Sequence, residues 1–165
     1  MVVLLAAGVL AAGCQGSVDV STDSETQAQA TPSPAAESDR AHLELLDAFA
    51  QAWNRHDADA LMSMMTDDCV YAASAGDDVH GRRYEGQEAV RASFQAIFDA
   101  FPDAQWNDAT HFVGGDRGLS EWRFTATAAD GGRIETNGCD VFTFRDGRIR
   151  LKNSFRKNRP PVPAR

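Results

Sequence analysis

GCDVFTFRDGRIRLKNSFRKNR, residues 138–159, is the most informative run in the chain. Asp146-Gly147 sits inside it, a dipeptide suited to the two left-handed positions of a tight hairpin turn. On both sides polar and apolar residues alternate, the period of a strand with one buried face. Before the turn, Asp140, Phe142 and Phe144 share a face, against Cys139, Val141, Thr143 and Arg145. After it, simple alternation groups Ile149, Leu151, Asn153 and Phe155, opposed by Arg148, Arg150, Lys152 and Arg156. The face bearing the rings is expected to pack on a core. Two polar residues fall among them, Asp140 and Asn153. A buried carboxylate costs on the order of several kcal/mol unless it is paired or protonated, so Asp140 is the anomaly to explain.

Upstream, residues 119–128 read as another strand, with Trp122, Phe124 and Ala126 on one face and Glu121, Arg123 and Thr125 on the other. Asp130-Gly131-Gly132 is a hairpin turn between it and the strand that carries Asp140. Residues 104–113 form a preceding strand, followed by the turn Gly114-Gly115-Asp116-Arg117-Gly118. The first half of the domain is helical in period. Leu43, Leu46, Phe49, Ala50 and Trp53 fall at three- and four-residue spacing over residues 39–56, with Asp39 as N-cap. Asp57 caps a short helix over 58–65. A helix over 87–100 buries Val90, Phe94, Ile97 and Phe98, and Pro102 stops it. Between these lie a strand at 69–74 and a short one around 80–84. Helices first and an antiparallel meander last give an α+β class.

Four runs carry a family pattern: AFAQAWNRHDADALMSMMTDDCVY, YEGQEAVRASFQAIFDAFPD, LSEWRFTAT and the hairpin quoted above. Together they resemble the SnoaL-like branch of the nuclear-transport-factor-2-like superfamily, over about residues 42–159. The resemblance implies a cone: a curved, mixed six-stranded sheet wrapped around three helices, with an apolar pocket at its open end. Members of that superfamily isomerise ketosteroids, close polyketide rings, hydrolyse epoxides or only bind, so the fold does not settle the function. Asp140 matches the position of an acid/base aspartate in the polyketide cyclases. Those cyclases also carry a Glu-His-Trp-Asp run after the last hairpin, where this chain has Leu151-Lys152-Asn153-Ser154.

Each candidate site residue has a functional and a structural reading. Asp140 is a candidate general base, or a structural carboxylate bonded to Asn153, a backbone amide or Trp53 Nε1. Tyr71 is a candidate donor to an oxyanion, or a residue of the pocket rim with its hydroxyl in water. Trp53, Tyr71, Trp122, Phe142, Asn153 and Phe155 are the candidate ligand contacts; core packing accounts equally for the tryptophans. His80 and His111 are candidate proton shuttles. By alternation His111 shares a face with Ala109 and Val113, opposite Trp106 and Phe112, and is expected to face outward. Glu121 and Arg123 suit a solvated outer face. The resemblance also implies a homodimer contact there, since dimers through the sheet face are common in that superfamily. Cys69 and Cys139 are expected as two small thiols. No metal-ligand spacing, catalytic triad, phosphate loop or dinucleotide fingerprint is present, and no cofactor is expected.

The N-terminus points outside the cytoplasm. Residues 1–13, MVVLLAAGVLAAG, are apolar, uncharged and too short to span a bilayer, which needs about 20 residues. They have the make-up of a signal-peptide core. Leu10-Ala11-Ala12-Gly13-Cys14 resembles a bacterial lipobox, which implies a signal at residues 1–14 and a lipid on Cys14; an ordinary secretory signal is the alternative. Residues 15–38 are rich in Ser, Thr, Gln, Ala and Pro, with acids and no bases, and read as a tether. The domain follows at 39–160, then a short tail at 161–165. Hydrophobic content of 43% suffices for a core. The net charge of -8 argues against nucleic acid as a partner. The last 21 residues hold half of the 16 basic side chains, which suits a solvated edge or contact with anionic headgroups.

The resulting expectation is a lipid-anchored domain, in a cell membrane or outer membrane, that binds a small, largely apolar molecule. Two alternatives stand beside it: an acid/base enzyme using Asp140, and a dimerising accessory domain of the cell envelope.

Overall fold

The computed structural model describes residues 33–162. The signal, the lipid site at Cys14, the tether up to residue 32 and residues 163–165 lie outside the described residues.

Three helices and six strands follow in the order α1 (Pro34–Asn54), α2 (Ala58–Ser63), β1 (Met65–Ala72), β2 (Arg83–Glu85), α3 (Gly86–Ala100), β3 (Gln105–Gly114), β4 (Arg117–Thr127), β5 (Arg133–Arg145) and β6 (Arg148–Arg156). The strands form one sheet in the order β2-β1-β6-β5-β4-β3. β1 runs parallel to β6, and every other pair is antiparallel. This is the expected α+β cone, a mixed six-stranded curved sheet against three helices.

Helix α1 begins five residues before the expected Asp39. Ser33 caps it, its hydroxyl accepting from Ala36 N at 3.3 Å, and Pro34 occupies the first turn, where its missing N–H costs nothing. The end of the expected tether is therefore helical. Asp39 instead accepts from Gly115 N at 2.9 Å, tying the helix to the β3–β4 turn. At the other end, the tail reaches further than expected: Val162 bridges Arg133.

The Trp53-Asn54-Arg55-His56-Asp57 segment owes its pattern to polar anchors. Asn54 Nδ2 donates to Trp106 O at 3.1 Å, and Trp106 N donates to Asn54 Oδ1 at 2.8 Å. His56 turns the chain with a positive φ of 55° and its Nε2 meets Ala104 O at 2.9 Å. Asp57 caps α2 by accepting from Ala60 N at 2.9 Å. On α3, Gln87 Nε2 reaches three carbonyls, those of Met62, Met65 and Thr66.

The core joins Leu46, Phe49 and Trp53 of α1 to Phe94 and Phe98 of α3 and to Phe142, Phe144 and Ile149 of the sheet. The hairpin closes as the sequence implies: Asp146 and Gly147 take φ of 52° and 71°. Cys69 is buried, Cys139 is half-buried, and both are free thiols.

Two bulges alter the faces expected from alternation. Across β5 and β6, Phe144 pairs with Ile149 but Thr143 pairs with Leu151, leaving Arg150 as an extra residue. From there on, the parity of β6 is reversed. Lys152, Ser154 and Arg156 turn to the helix side, opposite Phe142, Asp140 and Gly138, while Asn153 and Phe155 turn away. Phe155 is 52% exposed. The same happens on β3, where the register shifts between Asn107 and Thr110 and Asp108 has a φ of 57°. Phe112 is consequently 54% exposed, and the expectation of an outward His111 is corrected: its ring is buried. Arg150 is held by Asp68, whose Oδ2 lies 3.1 Å from its Nε. Asp68 also pairs with Arg145, and that guanidinium, helped by the Thr66 hydroxyl, holds its carboxyl down to about 2.

Candidate functional site

A cavity of about 300 Å³ opens between the sheet and α3. Its walls are rings: Trp53 from α1, Tyr71 from β1, Tyr84 from β2, Trp106 from β3, and Trp122 and Phe124 from β4. Ser93, Ala96 and Ala100 of α3 complete one side with small side chains. The volume lies at the lower end of the range for small-molecule sites. All three tryptophans of the chain line it.

Its polar floor is Lys152. The residue is 4% exposed, and Nζ donates to Asp140 Oδ1 at 2.7 Å and to Ser154 Oγ at 2.7 Å. Ser154 in turn donates to Asp140 Oδ1 at 2.5 Å, and Trp122 Nε1 donates to Asp140 Oδ2 at 2.9 Å. Asp140 is 5% exposed. A buried carboxylate is thus answered by a cation, a hydroxyl and an indole N–H, which resolves the anomaly seen in the sequence. Lys152 Nζ also lies 5.0 Å from the Tyr71 ring centroid and 5.2 Å from that of Trp53, within cation–π range. An ammonium has three donors, of which two are committed here.

Trp122 reaches Asp140 because Gly138 stands opposite it on β5. A Cβ at Gly138 would lie 2.3 Å from the indole. The glycine leaves the space the ring occupies.

The SnoaL-like domain family matches residues 46–151. This chain belongs to the SnoaL-like domain family. The SnoaL-like domain shares its fold with solved structures. An NTF2-like protein of unknown function from Mesorhizobium loti is 26% identical, with 78% of this chain and 98% of that one covered and a TM-score of 0.62. A candidate polyketide cyclase from Xanthomonas campestris is 21% identical, over 72% of this chain and 91% of that one, with a TM-score of 0.65. A phenazine biosynthesis-related protein from Pseudomonas aeruginosa is 16% identical, over 74% and 83%, with a TM-score of 0.62. No curated protein matches the chain.

Within this SnoaL-like domain, Trp53, Tyr71 and Trp122 come together on the cavity. Phe142 packs deeper, edge-on to Phe49 at 5.9 Å, and does not line it. Asn153 and Phe155 are placed on the opposite face by the β6 bulge, so neither shares the ring-bearing face on which alternation put it. Asp140 sits behind Lys152 and Ser154 rather than on the cavity wall. Its indole partner is Trp122, not Trp53, whose Nε1 is buried with no partner among the described residues. His80 lies in an exposed loop.

Simple alternation misses Lys152, Ser154 and Arg156. One signal was available: a carboxylate buried among rings requires a cation, and Lys152 is the lysine nearest to it in the hairpin.

His111 lines a void of about 20 Å³ with Ser120 and Asp140. Its Nδ1 is 2.7 Å from Ser120 Oγ. Nε2 is 3.4 Å from Asp47 Oδ1, in ion-pair reach but outside hydrogen-bond geometry. Burial pushes the His111 pKa down against the opposing pull of Asp47. A larger hollow of about 710 Å³ lies mainly over the outer face of the sheet, among Glu121, Arg123, Asn137, Cys139 and Phe155. It contains no buried ion pair, so the cavity floored by Lys152 is the candidate site. Among the described residues no cluster suits a metal ion.

Proposed function

We propose that this SnoaL-like domain binds a small, largely apolar molecule whose acceptor oxygen meets Lys152. The observation that carries this reading is the make-up of the cavity, seven aromatic side chains around one buried ammonium that has a donor to spare. Binding is favoured over acid/base catalysis by Asp140, because both carboxylate oxygens are engaged by protein and the group stands off the cavity. The role suggested by the name of the Xanthomonas relative is not carried over, since this chain lacks the Glu-His-Trp-Asp run of the cyclases.

The test is titration with 2-acetonaphthone, an apolar ketone, followed by tryptophan emission and calorimetry. Saturable binding at one site per chain supports the reading. Ala96→Phe, at the cavity wall, should abolish that binding without changing the far-ultraviolet circular dichroism. Absence of saturable binding, or full binding by Ala96→Phe, contradicts it.

The proposal extends to location. The apolar run ending in Gly13-Cys14 and the acidic spacer after it support a lipid anchor that holds the domain at a membrane, outside the cytoplasm. Among the described residues, no helix is long and apolar enough to cross a membrane. Cys14→Ser should move the protein from the membrane to the soluble fraction and remove label from alkyne-palmitate; unchanged partition would contradict the anchor.

A further inference from the structure

We infer that the ligand is an amphipathic carboxylate, with its anionic group on Arg156 at the cavity mouth and its apolar body among the rings. The inference rests on the binding reading above and adds a substrate class to it.

The charges around the cavity are unbalanced. Lys152 and Arg156 both line it, and among the described residues no carboxylate does. Lys152 is neutralised from behind by Asp140 at 2.7 Å. Arg156 has no such partner: among the described residues it forms no ion pair. Two acids share the outer hollow with Arg156: Asp108 is taken by Arg123 at 2.7 Å, and Glu121, among the described residues, makes no ion pair with Arg156. Among the described residues, the Arg156 guanidinium at the mouth is therefore not held in an ion pair.

Arg156 is also positioned. Its guanidinium carbon lies 5.3 Å from the centroid of Phe124, a wall of the cavity, so the flat cation is held over the aromatic rim. After the Arg150 bulge it shares a face with Ser154 and Lys152. At a strand rise of about 3.3 Å per residue, four positions put the two basic residues about 13 Å apart along β6. A guanidinium presents a fork of donors that matches a carboxylate with two parallel bonds. The ligand that satisfies all parts has an acceptor oxygen at its inner end for Lys152, is apolar in the middle and is anionic at the mouth. An ester or amide of the same shape leaves Arg156 unanswered.

The experiment compares 6-acetyl-2-naphthoate, whose ketone oxygen is at the end opposite its carboxylate, with its methyl ester by calorimetry and tryptophan quenching, on wild type, Arg156→Gln and Lys157→Gln. Both substituted positions are exposed, so the fold is not at stake. The expected result is about tenfold tighter binding of the acid by wild type, about 1.4 kcal/mol. That preference should vanish in Arg156→Gln, persist in Lys157→Gln and shrink as salt is raised. Equal binding of acid and ester by wild type overturns the carboxylate class while leaving the binding reading intact. A preference that survives Arg156→Gln overturns the assignment to that residue. Binding of neither probe overturns both.

Discussion

Lys152 Nζ lies 2.7 Å from Asp140 Oδ1, and neither side chain is more than a few per cent exposed. Each is the other's neutralising charge, so removing one should harm the fold more than removing both. Lys152→Met preserves volume but strands a buried carboxylate, which costs about 3–5 kcal/mol. Combining it with Asp140→Asn should restore much of that loss, because the amide oxygen still accepts from Ser154 or Trp122. Urea denaturation of the two single variants and the double variant measures the coupling. Additive losses would show that the pair is not mutually dependent.

Gly138 sets the position of Trp122. Gly138→Ala puts a methyl where the indole lies, with no room to spare at 2.3 Å. The expected loss is about 1–3 kcal/mol, together with a change in near-ultraviolet circular dichroism as the ring is displaced from Asp140. A variant as stable as wild type with an unchanged aromatic spectrum would show that the glycine has another reason to be there.

The pKa of buried His111 is depressed, so the folded state disfavours its charged form. The unfolded chain binds the proton more readily, and stability is full above the ordinary histidine value of 6.5 and falls as pH drops through the folded value below it. His111→Gln should flatten the part of the stability curve that lies below about pH 6.5. Thermal melts across this range measure the slope; an unchanged slope would place the titration elsewhere.

Much of the fold was legible, and the errors share one cause. Helix faces were readable because Leu46, Phe49 and Trp53, or Val90, Phe94 and Phe98, repeat at helical spacing with no local interruption. The faces of β4 were readable because it pairs with β5 residue for residue from Arg117 to Thr127. The sheet failed to follow alternation where it bulges. An unbulged hairpin closed on Asp146-Gly147 would set Asp140 opposite Asn153; the extra residue at Arg150 sets it opposite Ser154 and swings Lys152 inward. On β3 the left-handed Asp108 does the same to His111 and Phe112. A bulge depends on partners distant in sequence, here Asp68 on Arg150, and leaves no periodic trace in its own strand. The candidate site was thus half visible: its acid and its rings could be named, its cation could not.

Asn54 ties the end of α1 to β3 through both its amide nitrogen and its oxygen. Asn54→Ala leaves the Trp106 N–H without its acceptor in a half-buried place, at a cost of about 1–3 kcal/mol. Hydrogen exchange at that amide should accelerate beyond the change at β4 amides. Uniform acceleration across the sheet would indicate global destabilisation instead.

The central claim is that the ring-lined cavity floored by Lys152 receives a small molecule. All three tryptophans line that cavity, so fluorine NMR of the domain labelled with 5-fluorotryptophan reads it directly. Saturation with 2-acetonaphthone should shift the resonances of Trp53, Trp106 and Trp122 together, with matching titration curves. A ligand that saturates the protein while all three signals stay in place would contradict the account.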